Sequence, residues 1–236
     1  MGGDDQGYSA ADAASTLSWW LQAGVDLAIA ESPRNWLKAP VPAPPNVRQP
    51  SALAVSQALE TLHLFRDWLG TAPSLPLAGT GTERILPQGQ ESAPVMLVAE
   101  MPAREDAAEG KPIGGEAWQL MAKMLAAINI PAEDAYTATL ACFHAPGARM
   151  GAEELAECAN IARQHVTLAK PKRLLLLGDA PSRALLGKPL AAARGHVHKV
   201  EGVRTVATFH PRFLLNRPSD KALAWRDLLL LMEDDS

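Results

Sequence analysis

The run Val95-Met96-Leu97-Val98, followed by Ala99-Glu100-Met101-Pro102-Ala103, constrains this chain more than any other stretch. Four consecutive apolar residues leave no polar face, which suits a strand covered on both sides, as in a parallel sheet between helices. The proline then ends the strand and the chain opens into a polar loop running to about Gly115. Open α/β sheets bind ligands outside the carboxyl ends of their strands, so this segment puts a carboxylate, Glu100, where ligand chemistry takes place. It is a candidate to activate a water. The plainer reading is that Glu100 caps a turn or pairs with a basic neighbour, and the local pattern leaves both open.

The rest of the carboxyl-terminal half repeats the alternation of strand and helix. A helix is expected over 116–128, with Leu120, Met121, Met124, Leu125 and Ile128 on one face. A strand follows over 135–141, a helix over 152–169 that stops before Pro171, and an all-leucine strand over 174–177 closed by Gly178. A short helix at 181–186, a strand at 206–209 that delivers His210, and a closing helix over 219–232 complete the series. The expected fold class is therefore α/β: a three-layer sandwich with a central, mostly parallel four-stranded sheet flanked by helices. Glu100, Thr139 and His210 should lie near one edge of it.

The amino-terminal part reads differently. Residues 9–37 carry Leu17, Trp20, Leu21, Val25, Leu27 and Ala28 on a helical stripe, and 38–50 hold five prolines that predict an extended linker. Ser51 is placed to cap a second helix reaching about Gly70, apolar at Leu53, Leu59, Leu62, Phe65, Trp68 and Leu69. The predicted organisation is an N-terminal helix at 1–37, a linker at 38–50, a second helix and loop at 51–93, and the α/β domain at 94–236. Four tryptophans in this region (Trp19, Trp20, Trp36, Trp68) suit core packing, or a surface for a protein partner.

With 47% hydrophobic and 20% charged residues, and no run of eighteen apolar residues, nothing here is built to span a membrane. The first residues, MGGDDQGYSAAD, are acidic where a secretory signal would be basic. Two cysteines in 236 residues argue for a reducing compartment, so the expectation is a cytoplasmic monomer. A net charge of −4 disfavours strong nonspecific DNA binding, but the sign reverses over 194–217. There Arg194, Lys199, Arg204, Arg212 and Arg217, with His196, His198 and His210, face only Glu201. That segment reads equally as a phosphate-facing surface and as a solvated loop.

Glu100, Pro102, Glu105, Asp106, Gly110-Lys111-Pro112, Gly115 and Gln119-Leu120 fall without a gap on one known pattern, roughly GEAPGEEEDxxGKPFVGxAGQLL. In this they resemble the first motif of the family-four uracil-DNA glycosylases. Phe209-His210-Pro211-Arg212-Phe213-Leu214-Leu215 is similar to the family's second motif, a strand ending in HPxYLL, and Tyr136, Pro146-Gly147 and Arg149 match its middle segment, VYITNVVKCRPPGNR. The resemblance covers about 94–231. It implies base-excision DNA repair by hydrolysis of the N-glycosidic bond of a flipped base, with DNA as partner and activity weak or lost. The alternative is an inactive module of the same fold that binds nucleic acid or a protein.

By resemblance, Glu100, helped by Glu105 or Asp106, would orient water, and His210 would stabilise the departing base anion. Met101, Pro102, Ile113 and Thr139 would form the base pocket; the DNA contacts are expected from Lys111 and, on the charge balance of the basic segment, from Arg194, Arg212 and Arg217. Ile113 stands at the family's stacking Phe and Thr139 at its base-reading Asn, while Ala99 and Ala103 replace glycines. The family's iron–sulfur cluster needs four ligands. Here 71–94 holds no cysteine, the third ligand position is Phe143 with Cys142 beside it, and only the fourth, Cys158, matches. No metal and no cofactor are expected.

Overall fold

The computed structural model describes residues 59–79 and 82–233, together with Ser15. The chain divides into two units, Met1–Val47 and Arg48–Ser236, and every element below belongs to the second. Apart from Ser15, which is helical, the helix read over 9–37 lies outside the described residues, as do the linker at 38–50 and the proposed cap at Ser51.

Helix α1 spans Leu62–Thr71 and starts at Thr61, whose Oγ1 accepts a hydrogen bond from Leu64 N at 3.3 Å. Leu59 and Glu60 are not helical, so no single helix runs from Ser51 to Gly70. The threonine hydroxyl satisfies one of the orphan amides of a first turn and sets the start.

In chain order there follow β1 (Glu83–Arg84), β2 (Met96–Ala99), α2 (Arg104–Ala108), α3 (Gly115–Ala127), β3 (Tyr136–Thr139) and β4 (Phe143–His144). The second half adds α4 (Ala152–Ala169), β5 (Arg173–Leu177), α5 (Asp179–Leu186), α6 (Leu190–Ala193), β6 (Val197–Val200), β7 (Val203–Thr208), α7 (Pro211–Asn216) and α8 (Lys221–Met232). Strands β3-β2-β5-β7-β6 form the central sheet in that spatial order, and β1 pairs with β4 in a small antiparallel ribbon. The first four strands of the sheet are parallel; β6 lies antiparallel to β7.

The sheet has five strands rather than the four expected from sequence. The addition is β6, joined to β7 by the two-residue turn Glu201-Gly202, whose φ values are 49° and 80°. Positive φ at both turn positions matches the right-handed twist of the strands it joins.

Alternate residues of the parallel strands serve opposite faces. Met96, Val98, Leu174 and Leu176 pack with Cys158, Ala162 and Val166 of α4 and Leu185 of α5. Leu97, Leu175 and Leu177 pack with Ala117, Met121 and Leu125 of α3 and Leu228 and Leu231 of α8. Each such fully buried leucine contributes about 1.5–3 kcal/mol, which is why the strands read as unbroken apolar runs. The three-layer α/β sandwich is as expected. Register then fixes the site: Ala99 is level with Thr139, Val98 with Leu176, and Leu177 with Thr208. The carboxyl ends of β2, β3, β5 and β7 therefore lie along one edge. Among the described residues no helix is long and apolar enough to cross a membrane.

Candidate active site

At that edge a cavity of about 310 Å³ is lined by Glu100, Met101, Leu177, Gly178, His210, Arg212, Phe213 and Asn216. Glu100 follows β2, Gly178 follows β5, and His210 follows β7 by two residues. Gly178 has φ of 102°, and a side chain there would point towards His210 Cβ, 4.0 Å from its first carbon. A glycine keeps the cavity wall bare beside the imidazole.

His210 caps α7: its Nδ1 accepts a hydrogen bond from Arg212 N at 3.1 Å. Burial first, then the Arg212 charge, pushes its pKa down to about 4, against a smaller opposing effect of Asp106. The ring is neutral at pH 7, and because Nδ1 is an acceptor the proton sits on Nε2. A neutral N–H donor beside a cavity is suited to a developing oxyanion.

Glu100 lines the same cavity while remaining open to solvent. Its carboxyl is held above the usual carboxylate range, first by partial desolvation and second by the charge of Asp179. Asp179 begins α5 immediately after Gly178. Its own pKa is lowered, chiefly by its bond to Arg183 Nε, and its Oδ1 accepts from Leu190 N at 2.8 Å.

Beneath the site Asp106 is 1% exposed and fully engaged. Ala103 N donates to it at 2.7 Å, Gly114 N at 2.6 Å, and Arg212 Nη2 reaches both carboxylate oxygens at 2.9 and 3.0 Å. It does not open onto the cavity as a water-orienting group would. Glu105 is exposed, 3.9 Å from Arg212 Nη2.

The other residues singled out from sequence are spread more widely. Met101 lines the cavity; Pro102 is buried, with its carbonyl 2.9 Å from His144 Nδ1. Ile113 is 1% exposed and packs in the core against the sheet, and Thr139 ends β3 at the same edge; neither lines the cavity. Arg194 is paired with buried Asp227 at 2.8 Å and lies 4.4 Å over the Phe209 ring. Phe209 stacks on Phe213 at 5.0 Å, and Arg217 lies 5.5 Å over Phe213. Lys111 reaches Glu109 at 3.0 Å. Lys111 and Arg217 project towards solvent, whereas the guanidinium groups of Arg194 and Arg212 are occupied by buried carboxylates.

Asn216 and Asp179 escaped the sequence reading. Asn216 lines the cavity four residues after Arg212, and its Nδ2 donates to Arg212 O at 3.1 Å. The only signal was position: an amide closing the helix opened by His210-Pro211, and an acid directly after a glycine at a strand end.

The residues that would have to hold an iron–sulfur cluster do not fit one. Cys142 and Cys158 are buried, and burial pushes their thiols up to about 11 and about 12, far from the thiolates a cluster binds. Phe143 packs with Phe65, Leu69, Ala72, Leu75 and Ile161. The Arg84 guanidinium lies 4.7 Å over its ring and donates to Leu69 O and Ala72 O at 2.6 and 2.8 Å. An apolar cluster with one stacked cation fills that place.

A mostly parallel sheet with helices on both faces, carrying a carboxylate and a neutral imidazole across one cavity at its carboxyl edge, defines the class: an α/β protein with its site at the strand ends. The chain belongs to the Uracil DNA glycosylase superfamily, whose family model matches residues 86–229. It is 27% identical over 150 residues to the Type-4 uracil-DNA glycosylase of Archaeoglobus fulgidus, covering 59% of this chain and 75% of that protein. The Type-4 enzymes of Pyrobaculum aerophilum and Thermotoga maritima are 25% and 24% identical, with 61% and 69% of this chain and 79% and 87% of theirs covered. The resemblance to the family-four enzymes carried by the two motifs is thus borne out.

Proposed function

We propose that this chain is a DNA glycosylase of the uracil-excising type that works without an iron–sulfur cluster. A base flipped out of DNA would enter the cavity between Glu100 and His210. Glu100, as carboxylate, orients a water towards the sugar carbon, and His210 donates its Nε2 proton in a hydrogen bond to the base oxygen on which negative charge develops as the glycosidic bond breaks. The observation that carries this reading is the Arg212 N to His210 Nδ1 bond at 3.1 Å, which leaves the donating nitrogen available to a ligand. A neutral donor is the better partner here, because it stabilises the anion without surrendering its own proton early.

Lys111 and Arg217, both reaching solvent near these loops, are the cations we assign to the phosphate backbone. We place the protein in the cytoplasm as a monomer acting in base-excision repair.

One observation favours a second reading. Neither Ile113 nor Thr139 lines the cavity, so the two positions that would stack and read the base by resemblance put no side chain there, and a site that loses a base-reading hydrogen bond discriminates poorly. On that reading the chain is a module that binds nucleic acid or a protein partner without cleaving. Uracil release from single- and double-stranded oligonucleotides, with His210→Ala as control, separates the two. Release that disappears in the control supports catalysis through His210; release equal in both proteins takes His210 out of the chemistry, and none in either supports binding alone.

A further inference from the structure

The carboxylate of Asp106 joins three separate pieces of chain. Ala103 N belongs to the turn that carries Glu100, Gly114 N opens α3, and Arg212 Nη2 comes from α7. A side chain at Gly114 would press on Asp106 Cα at 3.2 Å, closer than ordinary contact. Arg212 is also the residue whose backbone N–H binds His210 Nδ1. A continuous path of hydrogen bonds therefore runs from a buried carboxylate, through one arginine, to the imidazole at the cavity.

We propose that Asp106 and Arg212 are a positioning pair for His210, fixing which ring nitrogen carries the proton and where the ring points. The inference rests on the assignment of His210 as the donor to the leaving base. A neutral imidazole has two tautomers, and only the one protonated on Nε2 presents a donor to the cavity. The Arg212 amide selects that tautomer only while the first turn of α7 is held in place. Asp106 holds it by accepting from the Arg212 side chain while its remaining capacity is taken by two backbone amides. One guanidinium nitrogen thus spans both carboxylate oxygens, and these charge-assisted bonds hold the arginine to the carboxylate.

The test uses the full chain with ¹⁵N-labelled histidine, His210 being assigned among the six histidines by comparison with His210→Gln. Wild type should show one tautomer, with Nε2 protonated and Nδ1 bare. In Arg212→Met the two nitrogen shifts should move towards each other as the tautomers mix. The rate of base release should fall roughly tenfold to a hundredfold, KM changing much less, as expected for a misplaced donor. Arg212→Lys should restore part of both. If Arg212→Met fails to fold because Asp106 is left unpaired, Asp106→Asn/Arg212→Met removes that charge and should give the same mixing. A folded variant whose His210 shifts match wild type overturns the proposal, as does a wild type protonated on Nδ1. Absence of glycosylase activity in wild type would defeat the functional reading alone, since the nitrogen shifts still report on the pair.

Discussion

His210 and Glu100 are pushed by their surroundings in opposite directions: the imidazole is held down to about 4 and the carboxyl is held above its usual range. The productive forms are the neutral ring and the ionised carboxylate, and both appear as pH rises. Activity should therefore have an acid limb set by Glu100, with a midpoint above the ordinary carboxylate value of about 4.3, and His210 protonating only further into acid. Asp179 is the second cause of the Glu100 shift, so Asp179→Asn should move the limb to lower pH. The dependence of kcat/KM on pH in the two proteins checks this; a limb that stays in place in Asp179→Asn would assign it to another group. The base-reading positions are a separate matter at this scale. Ile113 is buried in the core, so enlarging it to Phe adds bulk to packed surroundings, which commonly costs about 1–3 kcal/mol.

At the scale of elements, the β1–β4 ribbon and α1 close over Phe143 where a cluster ligand would stand. Arg84, level with Phe143 in the ribbon, ties that strand to the end of α1 through two carbonyls. Purified anaerobically, the protein should contain no iron and show no visible absorbance, and Phe143→Ala should cost about 3–5 kcal/mol of stability, measured by denaturant unfolding, as for other buried aromatics. A brown protein with about four irons per chain would contradict this.

The strands and helices that position the site were legible because burial on both faces leaves an unmistakable apolar run, as in Leu174–Leu177. Strand β6 was not, although its partner β7 was in part, as the strand expected over 206–209. Val197-His198-Lys199-Val200 sets two polar residues side by side between its valines, so β6 lacks the two-residue alternation that marks a half-buried strand. Glu100 and His210 could be placed at one edge because strand ends are fixed by topology. The partners of Arg194 and Arg212 could not, because Asp227 and Asp106 lie 33 and 106 residues away in sequence.

For the molecule as a whole, a net charge of −4 means that DNA must be met by a local patch. Lys111→Gln and Arg217→Gln should each flatten the salt dependence of DNA binding by about one counterion. Arg194→Gln should instead lose about 3–5 kcal/mol of stability, because buried Asp227 is left unpaired. Salt titrations of binding, run beside denaturant melts, separate the two kinds of arginine; an unchanged slope in Arg217→Gln would move the interface elsewhere.

The central claim is that Glu100 and His210 together cleave a glycosidic bond across the cavity at the sheet edge. Its most direct test is single-turnover release of uracil from a single-stranded oligonucleotide by wild type, Glu100→Gln and His210→Ala. The account predicts measurable release by wild type and a loss of roughly a hundredfold or more in each variant, the size expected for removing a positioned general base or an oxyanion donor. Release by wild type that persists undiminished in both folded variants would contradict it.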